Sequence, residues 1–174
     1  MLGAPLRLGS GLVFVALIWK GVLFPEGVDA EDIETKKTIE ASGLNDRVSF
    51  LPANILDETV SFPKGFDVIW MSQFLDCFSE AQIVSILKRC YEALDENGQV
   101  VIMEPFWDMQ KFEVASFCLQ QTSLYFTTMA NGNSQMYSYE VFLKCIQQAG
   151  FSVTEQKDQI GLSQTLLKCK KRKQ

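Results

Sequence analysis

The sequence predicts an α/β domain with a mostly parallel sheet and an antiparallel hairpin at its C-terminal end. From residue 28 onward, apolar strand-like runs alternate with amphipathic segments of helical length, the pattern of strand–helix–strand crossovers. The last two strand-like runs are joined by only a few residues around Gly161, which is too short for a crossover. A chain of 174 residues, 47% of them hydrophobic, can bury one core of this kind.

The individual elements have local signals. The run at 66–73 is apolar enough to be buried on both faces, and Ser79 with Gln82 forms a capping box for the helix that follows. The predicted strands cover residues 48–51, 66–73, 99–105, 151–156 and 165–171. The predicted helices cover residues 29–42, 79–94, 112–129 and 138–149.

Two acidic residues follow neighbouring predicted strands. Asp76 lies just beyond the strand at 66–73, and Glu104 lies at the tip of the strand at 99–105. Open α/β sheets bind ligands at the carboxyl ends of their parallel strands. We therefore expect both carboxylates to line the same crevice.

Residues 1–27 differ from the rest, because the run at 8–24 is apolar on all sides and interrupted by Lys20. Three interpretations stay open. The segment is a signal peptide or membrane anchor, or a segment foreign to the domain. Alternatively, Gly9 and Gly11 belong to a degenerate glycine-rich loop, with Asp29 about 20 residues further on. The predicted division is an atypical segment at 1–27 and a catalytic domain at 28–174. Whether the sheet has its first strand stays open, and its loss would expose a central sheet edge.

The composition excludes several classes of function. The net charge of -5 and pI near 4.8 argue against a nucleic-acid binder. The absence of histidine removes the commonest metal ligand and the commonest neutral-pH base, and we expect no metal site. The five cysteines lack any C-x-x-C spacing, which predicts reduced thiols in a cytoplasmic protein. A membrane-bound chain is not expected, and a small-molecule partner fits best.

Four segments together are similar to one enzyme family. They read "VDAEDIE", "SGLNDRVSFLPANILD", "FDVIWMSQFLDCFSEAQIVSILKRCYEALDENGQVVIMEP" and, near the end, "AGF". In order and spacing, Val28 to about Arg172 resembles the C-terminal two thirds of a class I S-adenosylmethionine-dependent methyltransferase of the O-methyltransferase type. The resemblance implies a three-layer, Rossmann-like sheet, S-adenosyl-L-methionine as cofactor, and methyl transfer to a small molecule, with oxygen as the expected nucleophile.

The resemblance also implies which residues surround the cofactor. The carboxylate of Asp29 would accept hydrogen bonds from the ribose hydroxyls, although it suits a helix N-cap as well. Asn54 and Ile55 would flank the adenine, although Asn54 could instead satisfy its own loop. Met71 would lie beside the methionine moiety, or simply in the core. The implied cofactor residues are Asp29, Asn54, Ile55, Met71, Ser72 and Gln73.

One departure concerns the catalytic base. Plant-like members of the family have a histidine directly before the aspartate of this motif, and here that residue is Leu75. Either Asp76 or Glu104 then takes the acceptor's proton, or the acceptor is already nucleophilic, or catalysis rests on positioning. A further acid that assists the base in the family falls at Met136. The alternatives are that Asp76 binds local backbone and that Glu104 caps an amide or pairs with a lysine.

The segment after Glu104 is expected to bind the acceptor, since late loops form the lid of such sites. Trp107, Asn131 and Asn133 are the candidate substrate residues. The aromatic residues of this segment would shape a pocket or be plain core; they are Trp107, Phe112, Tyr125 and Phe126. The alternative function is an inactive, methyltransferase-like binding or interaction protein. The family's N-terminal helical dimerisation domain has no counterpart here, so the oligomeric state stays open.

Overall fold

The computed structural model describes residues 2–8, 11–17, 37, 40–43, 51–52, 54–129 and 133–172. Its strands are β1 Leu2–Leu8, β2 Gly11–Leu17, β3 Leu51–Pro52, β4 Phe66–Ser72, β5 Leu94–Pro105, β6 Phe151–Ile160 and β7 Gln164–Lys171. Its helices are α1 Glu80–Ala93, α2 Glu113–Met129 and α3 Tyr139–Gln148, with single 3-10 turns at Leu75–Cys77 and Trp107–Met109.

The strands form one mixed sheet with the order β3-β1-β2-β4-β5-β7-β6. Its centre is parallel, because β2 pairs with β4 and β4 pairs with β5 in the same direction. β5 pairs antiparallel with β7, and β7 pairs antiparallel with the edge strand β6. The predicted α/β class and its antiparallel C-terminal hairpin are confirmed.

The N-terminal segment contributes two strands to this sheet. β1 and β2 pair antiparallel, with Leu8 opposite Gly11, and β2 pairs with β4 from Val13 opposite Val68 onward. β2 therefore covers the edge of β4, which would be exposed if the sheet lacked its first strand. A cofactor-binding glycine loop at Gly11 would need to join a strand to a helix, whereas Gly11 begins β2, which pairs antiparallel with β1. Asp29 lies outside the described residues. No helix in the described part of the chain has the length and apolar character to cross a membrane.

Helix α1 begins at the predicted capping box. The Ser79 hydroxyl accepts a hydrogen bond from the Gln82 backbone N–H, and the Gln82 side chain accepts one from the Ser79 N–H. The helix then buries one face, which includes Ile83, Ile86 and Leu87. Helices α1 and α3 contact each other and the sheet, so they cover the same face of it. This packing holds the loop between β4 and α1 over the ends of the central strands.

Cysteine labelling tests this packing directly. Cys118 is exposed on α2, whereas burial raises the pKa of Cys77, Cys90 and Cys169 to about 12 and that of Cys145 to about 11. Because the thiolate is the reactive species, iodoacetamide at pH 8 should modify Cys118 alone in the folded protein and all five cysteines in denaturant. Intact-mass spectrometry measures this. Rapid labelling of Cys90 or Cys169 under native conditions would contradict the described core.

Candidate active site at the ends of β4 and β5

Glu104 joins the ends of the two central parallel strands. Its side chain is only 1% exposed, and its Oε1 atom accepts hydrogen bonds from the backbone N–H groups of Phe74 and Leu75, each at 2.8 Å. These N–H groups face Glu104 because Gln73 has a left-handed φ of 47°, which turns the chain out of β4. The Gln73 N–H itself donates to the Met103 carbonyl on β5 at 2.9 Å. Glu104 thus fixes the turn that follows β4.

Asp76 lies in this turn and interacts electrostatically with Glu104. Burial, and then the nearby negative charge of Asp76, raise the pKa of Glu104 well above its ordinary value, against the opposing effect of the backbone N–H groups. The raised pKa favours the protonated form of Glu104. Among the described residues, Glu104 Oε2 is buried without a hydrogen-bond partner. The structure brings the two carboxyl groups together, as their positions at the strand ends predicted.

A short segment, residues 134–137, crosses the turn and holds it in place; we call it the strap. The Gln135 N–H donates to the Asp76 carbonyl at 2.9 Å, and the Tyr137 hydroxyl donates to the Phe78 carbonyl at 2.6 Å. No pattern in the sequence indicated that Gln135 or Tyr137 belongs to the site. Since Tyr137 and Phe78 are 59 positions apart, no local pattern connects them.

The strap is in turn tied to helix α2. The Thr127 hydroxyl donates to the Ser134 carbonyl at 2.8 Å, and the Met136 N–H donates to the Ser123 hydroxyl at 3.0 Å. Met136, where the family has an additional acid, is 7% exposed and brings no charge to the site. Asp76 and Glu104 are therefore the carboxyl groups that this part of the described structure supplies.

Arg89 of α1 organises the loop between β3 and β4. Its guanidinium donates to the carbonyl groups of Ile55, Asp57 and Val60, the latter two at 3.1 and 3.3 Å, and lies 4.9 Å from the ring centroid of Phe62. Arg89 is itself 9% exposed. A buried arginine on the apolar side of a helix had no signal in the sequence, yet it fixes the loop that carries the candidate adenine residues.

Substitution of Arg89 tests this arrangement. Arg89→Met keeps the apolar stem but removes the guanidinium hydrogen bonds to three carbonyl groups, and we expect the free energy of unfolding to fall by about 2 kcal/mol. Lys88→Met is the matched control, because Lys88 is the exposed neighbour on the same helix and should change stability by less than about 0.5 kcal/mol. Urea titrations measure both values. Equal stabilities for the two variants would show that Arg89 does not hold the loop.

The other candidate residues are placed as follows. Asn54 is exposed, and its Oδ1 accepts a hydrogen bond from the Leu56 N–H at 3.0 Å, so Asn54 satisfies a backbone group of its own loop. Ile55 is 9% exposed. Met71 is buried, while Ser72 and Gln73 stay partly exposed at the strand tip. Asn131 lies outside the described residues.

The segment after Glu104 has an unexpected surface. Trp107 is partly exposed, and its backbone N–H donates to the Tyr137 carbonyl of the strap at 3.3 Å. Asn133 is exposed. Phe112 and Tyr125 are each 61% exposed, so their interpretation as core residues is wrong. Helix α2 covers the sheet less than a core helix would.

Solved structures define the class of fold. Mitomycin 7-O-methyltransferase MmcR matches with a TM-score of 0.68 and 18% identity, over 81% of this chain and 39% of that chain. NcsB1, an O-methyltransferase from neocarzinostatin biosynthesis solved with S-adenosyl-L-homocysteine and 1,4-dihydroxy-2-naphthoic acid, matches with a TM-score of 0.65 and 19% identity, over 81% and 39% of the two chains. The chain therefore has the α/β fold of these methyltransferases.

The sequence comparison identifies the family. The O-methyltransferase domain model matches residues 30–152, more than half of the chain, and the chain belongs to this family. L-tyrosine C(3)-methyltransferase of Streptomyces lavendulae is 26% identical over 118 residues, 68% of this chain and 31% of that protein. Caffeic acid 3-O-methyltransferase 2 of Ocimum basilicum is 50% identical over 48 residues, 28% of this chain and 13% of that protein. The chain thus spans less than a third of these relatives' length.

Proposed function

We propose that this chain takes part in S-adenosylmethionine-dependent methyl transfer to a small-molecule acceptor, with an oxygen atom as the nucleophile. The observation that carries the proposal is the buried pair of carboxyl groups, Asp76 and Glu104, at the ends of adjacent parallel strands in a chain of the O-methyltransferase family. Such strand ends are where open α/β sheets bind ligands. The free thiols support a cytoplasmic location.

The described residues at the strand tip fit the cofactor. Ser72 and Gln73 offer partly exposed polar groups beside the buried, apolar Met71, which suits a ligand with a polar amino-acid end and apolar methylene groups next to it. Asn54 Oδ1 already accepts one hydrogen bond but has a second lone pair for an adenine amino group, next to the apolar Ile55. Asp29 would hold the ribose. When bound, the cofactor supplies an electrophilic methyl group on a sulfonium.

Asp76 is the better placed of the two carboxyl groups to take a proton. It lies beside Glu104, whose pKa is raised well above its ordinary value, and it is 8% exposed against 1% for Glu104. A hydroxyl acceptor needs its proton removed to become a strong nucleophile. Asp76 would accept that proton, and Glu104 would serve the reaction by holding the turn that carries Asp76. Trp107, Asn131 and Asn133 would orient the acceptor.

Calorimetric titration of the full chain with S-adenosylmethionine, and separately with S-adenosylhomocysteine, tests the proposal. We expect dissociation constants in the micromolar range, with adenosine as a weaker-binding control. Absence of binding at millimolar ligand would overturn the proposal in favour of an inactive, methyltransferase-like interaction protein. Where binding is seen, transfer of a labelled methyl group to a panel of hydroxylated aromatic acids, anilines and phenol-ring carbons identifies the acceptor atom.

A further inference from the structure

The strap is hydrogen-bonded to helix α2 along one of its sides. The Ser134 carbonyl accepts from the Thr127 hydroxyl at 2.8 Å, and the Met136 N–H donates to the Ser123 hydroxyl at 3.0 Å. Two residues of an extended chain span about 6.6 Å, and four residues of a helix span about 6 Å. The hydroxyl groups at 123 and 127 therefore match the spacing of the backbone groups at 136 and 134.

The other side of the strap holds the turn that carries Asp76. Three consecutive carbonyl groups of this turn, at residues 76, 77 and 78, accept hydrogen bonds from the strap. The donors are, in that order, the Gln135 N–H at 2.9 Å, the Ser134 hydroxyl at 3.5 Å and the Tyr137 hydroxyl at 2.6 Å. Because Ser134 and Tyr137 are buried, breaking these bonds would leave polar groups unsatisfied away from water. The strap therefore links α2 to the turn.

Ser123 and Thr127 differ from the neighbouring hydroxyl residues of α2. The hydroxyl groups of Thr122 and Thr128 donate to carbonyl groups one turn earlier in their own helix, at 2.9 and 2.8 Å, which is a common arrangement within helices. The Ser116 hydroxyl accepts from a side chain of the same helix at 3.2 Å. The Thr127 hydroxyl lies 2.9 Å from the Ser123 carbonyl as well, so it has one acceptor in the helix and one in the strap.

We propose that Ser123 and Thr127 are positioning residues, which hold the turn that carries Asp76 by way of the strap. For catalysis this rests on the proposed function, in which Asp76 takes the proton of the acceptor. Proton transfer requires the carboxylate within hydrogen-bond reach, and a small displacement of such a group slows a reaction strongly. Loss of either hydroxyl group should therefore slow methyl transfer. The affinity for S-adenosylmethionine should stay the same, because the implied cofactor residues precede residue 74.

The alkylation rate of Cys77 measures the opening of the turn and does not require activity. Cys77 lies in the turn and is partly buried, whereas Cys90 is buried in the core and reports general unfolding. In a Cys118→Ser background at pH 8, we expect Ser123→Ala and Thr127→Val each to raise the rate of reaction of Cys77 with iodoacetamide about fivefold. The rate at Cys90 should not change. Peptide mass spectrometry resolves the two cysteines.

Matched variants separate the hydrogen bonds to the strap from the side-chain changes themselves. Ser116→Ala and Thr128→Val make the same substitutions at hydroxyl groups that bond within α2, so Cys77 should react as in the unmodified chain. Ser123→Thr and Thr127→Ser keep the hydroxyl groups and should restore the unmodified rate.

Single-turnover transfer of a labelled methyl group, alongside calorimetry with S-adenosylmethionine, tests the consequence for catalysis. We expect Ser123→Ala to lower the rate of transfer about 10-fold and to change the dissociation constant of the cofactor by less than about twofold. Ser116→Ala should change neither. A parallel loss of rate and cofactor affinity would overturn the positioning role, since Ser123 would then support the cofactor site instead.

Two results of the labelling experiment would contradict the proposal: equal alkylation of Cys77 in all variants, or a rise at Cys77 and Cys90 together. A selective rise at Cys77 with full methyl transfer would show that the turn is held but that catalysis does not depend on it, which overturns the positioning role. If the unmodified chain binds no cofactor and transfers no methyl group, the proposed function fails. The labelling alone then decides whether α2 holds the turn.

Discussion

Replacement of Glu104 with leucine is expected to lower the free energy of unfolding by about 4 kcal/mol, because two buried N–H groups lose their acceptor and each costs about 1–3 kcal/mol. Leucine is similar in volume, so the loss reflects the hydrogen bonds to Phe74 and Leu75 rather than a cavity. Urea titration at pH 5 measures it. Glu104→Gln keeps a carbonyl oxygen for both donors and should retain most of the stability. A leucine variant as stable as the glutamine variant would show that Glu104 does not hold the turn.

The same pair of proteins tests the protonation of Glu104. Its folded-state pKa is raised above the ordinary value of 4.5, so the folded protein keeps a proton that the unfolded chain releases. The contribution of Glu104 to the free energy of unfolding is therefore fully present below about pH 4.5 and is lost as the pH rises through the folded-state pKa. The loss is at most about 1.4 kcal/mol per pH unit. Glu104→Gln should lack this loss, so its stability relative to the unmodified chain should increase from pH 5 to pH 9.

Glu155 provides a control of opposite sign. Hydrogen bonds from Lys168 and then Lys157 lower the pKa of this exposed carboxyl, so its contribution is present at neutral pH and is lost as the pH falls through its folded-state pKa. Glu155→Gln should therefore differ from the unmodified chain at neutral pH and converge with it in acid. If Glu104→Gln instead followed the behaviour of Glu155→Gln, Glu104 would be ionised in the folded protein.

The elements that the sequence predicted well are those with local causes. The capping box of Ser79 and Gln82 involves residues three positions apart, and the apolar runs at 66–73 and 99–105 indicate strands without reference to the rest of the chain. The burial of both faces expected at 66–73 is incomplete, because Asp67 is exposed and Val68 and Trp70 are partly exposed. For the same reason Asp76 and Glu104 could be predicted to meet, since adjacent parallel strands end at one edge of the sheet. Their proximity follows from topology alone, and their chemical roles do not.

The rest of the site depends on contacts between distant segments. Glu104 accepts two backbone N–H groups only because Gln73 takes a left-handed conformation, which no pattern around a glutamine indicates. Arg89 reaches carbonyl groups 29 to 34 positions away, and Tyr137 reaches Phe78 from 59 positions away. Helix α2 illustrates a different limit: its periodicity predicted a helix correctly but did not indicate which face would meet the protein.

Substitution of Asp76 by asparagine separates the two carboxyl groups in catalysis. The variant keeps the side-chain volume but removes the base, so we expect the rate of methyl transfer to fall by about 10²- to 10⁴-fold with the affinity for S-adenosylmethionine unchanged. Glu104→Gln should lower the rate less, because it preserves the hydrogen bonds that hold the turn. Single-turnover assays with labelled cofactor, alongside calorimetry, distinguish rate from binding. Full activity in Asp76→Asn with loss in Glu104→Gln would make Glu104 the base, and full activity in both would mean that the acceptor arrives already ionised or that positioning alone drives transfer.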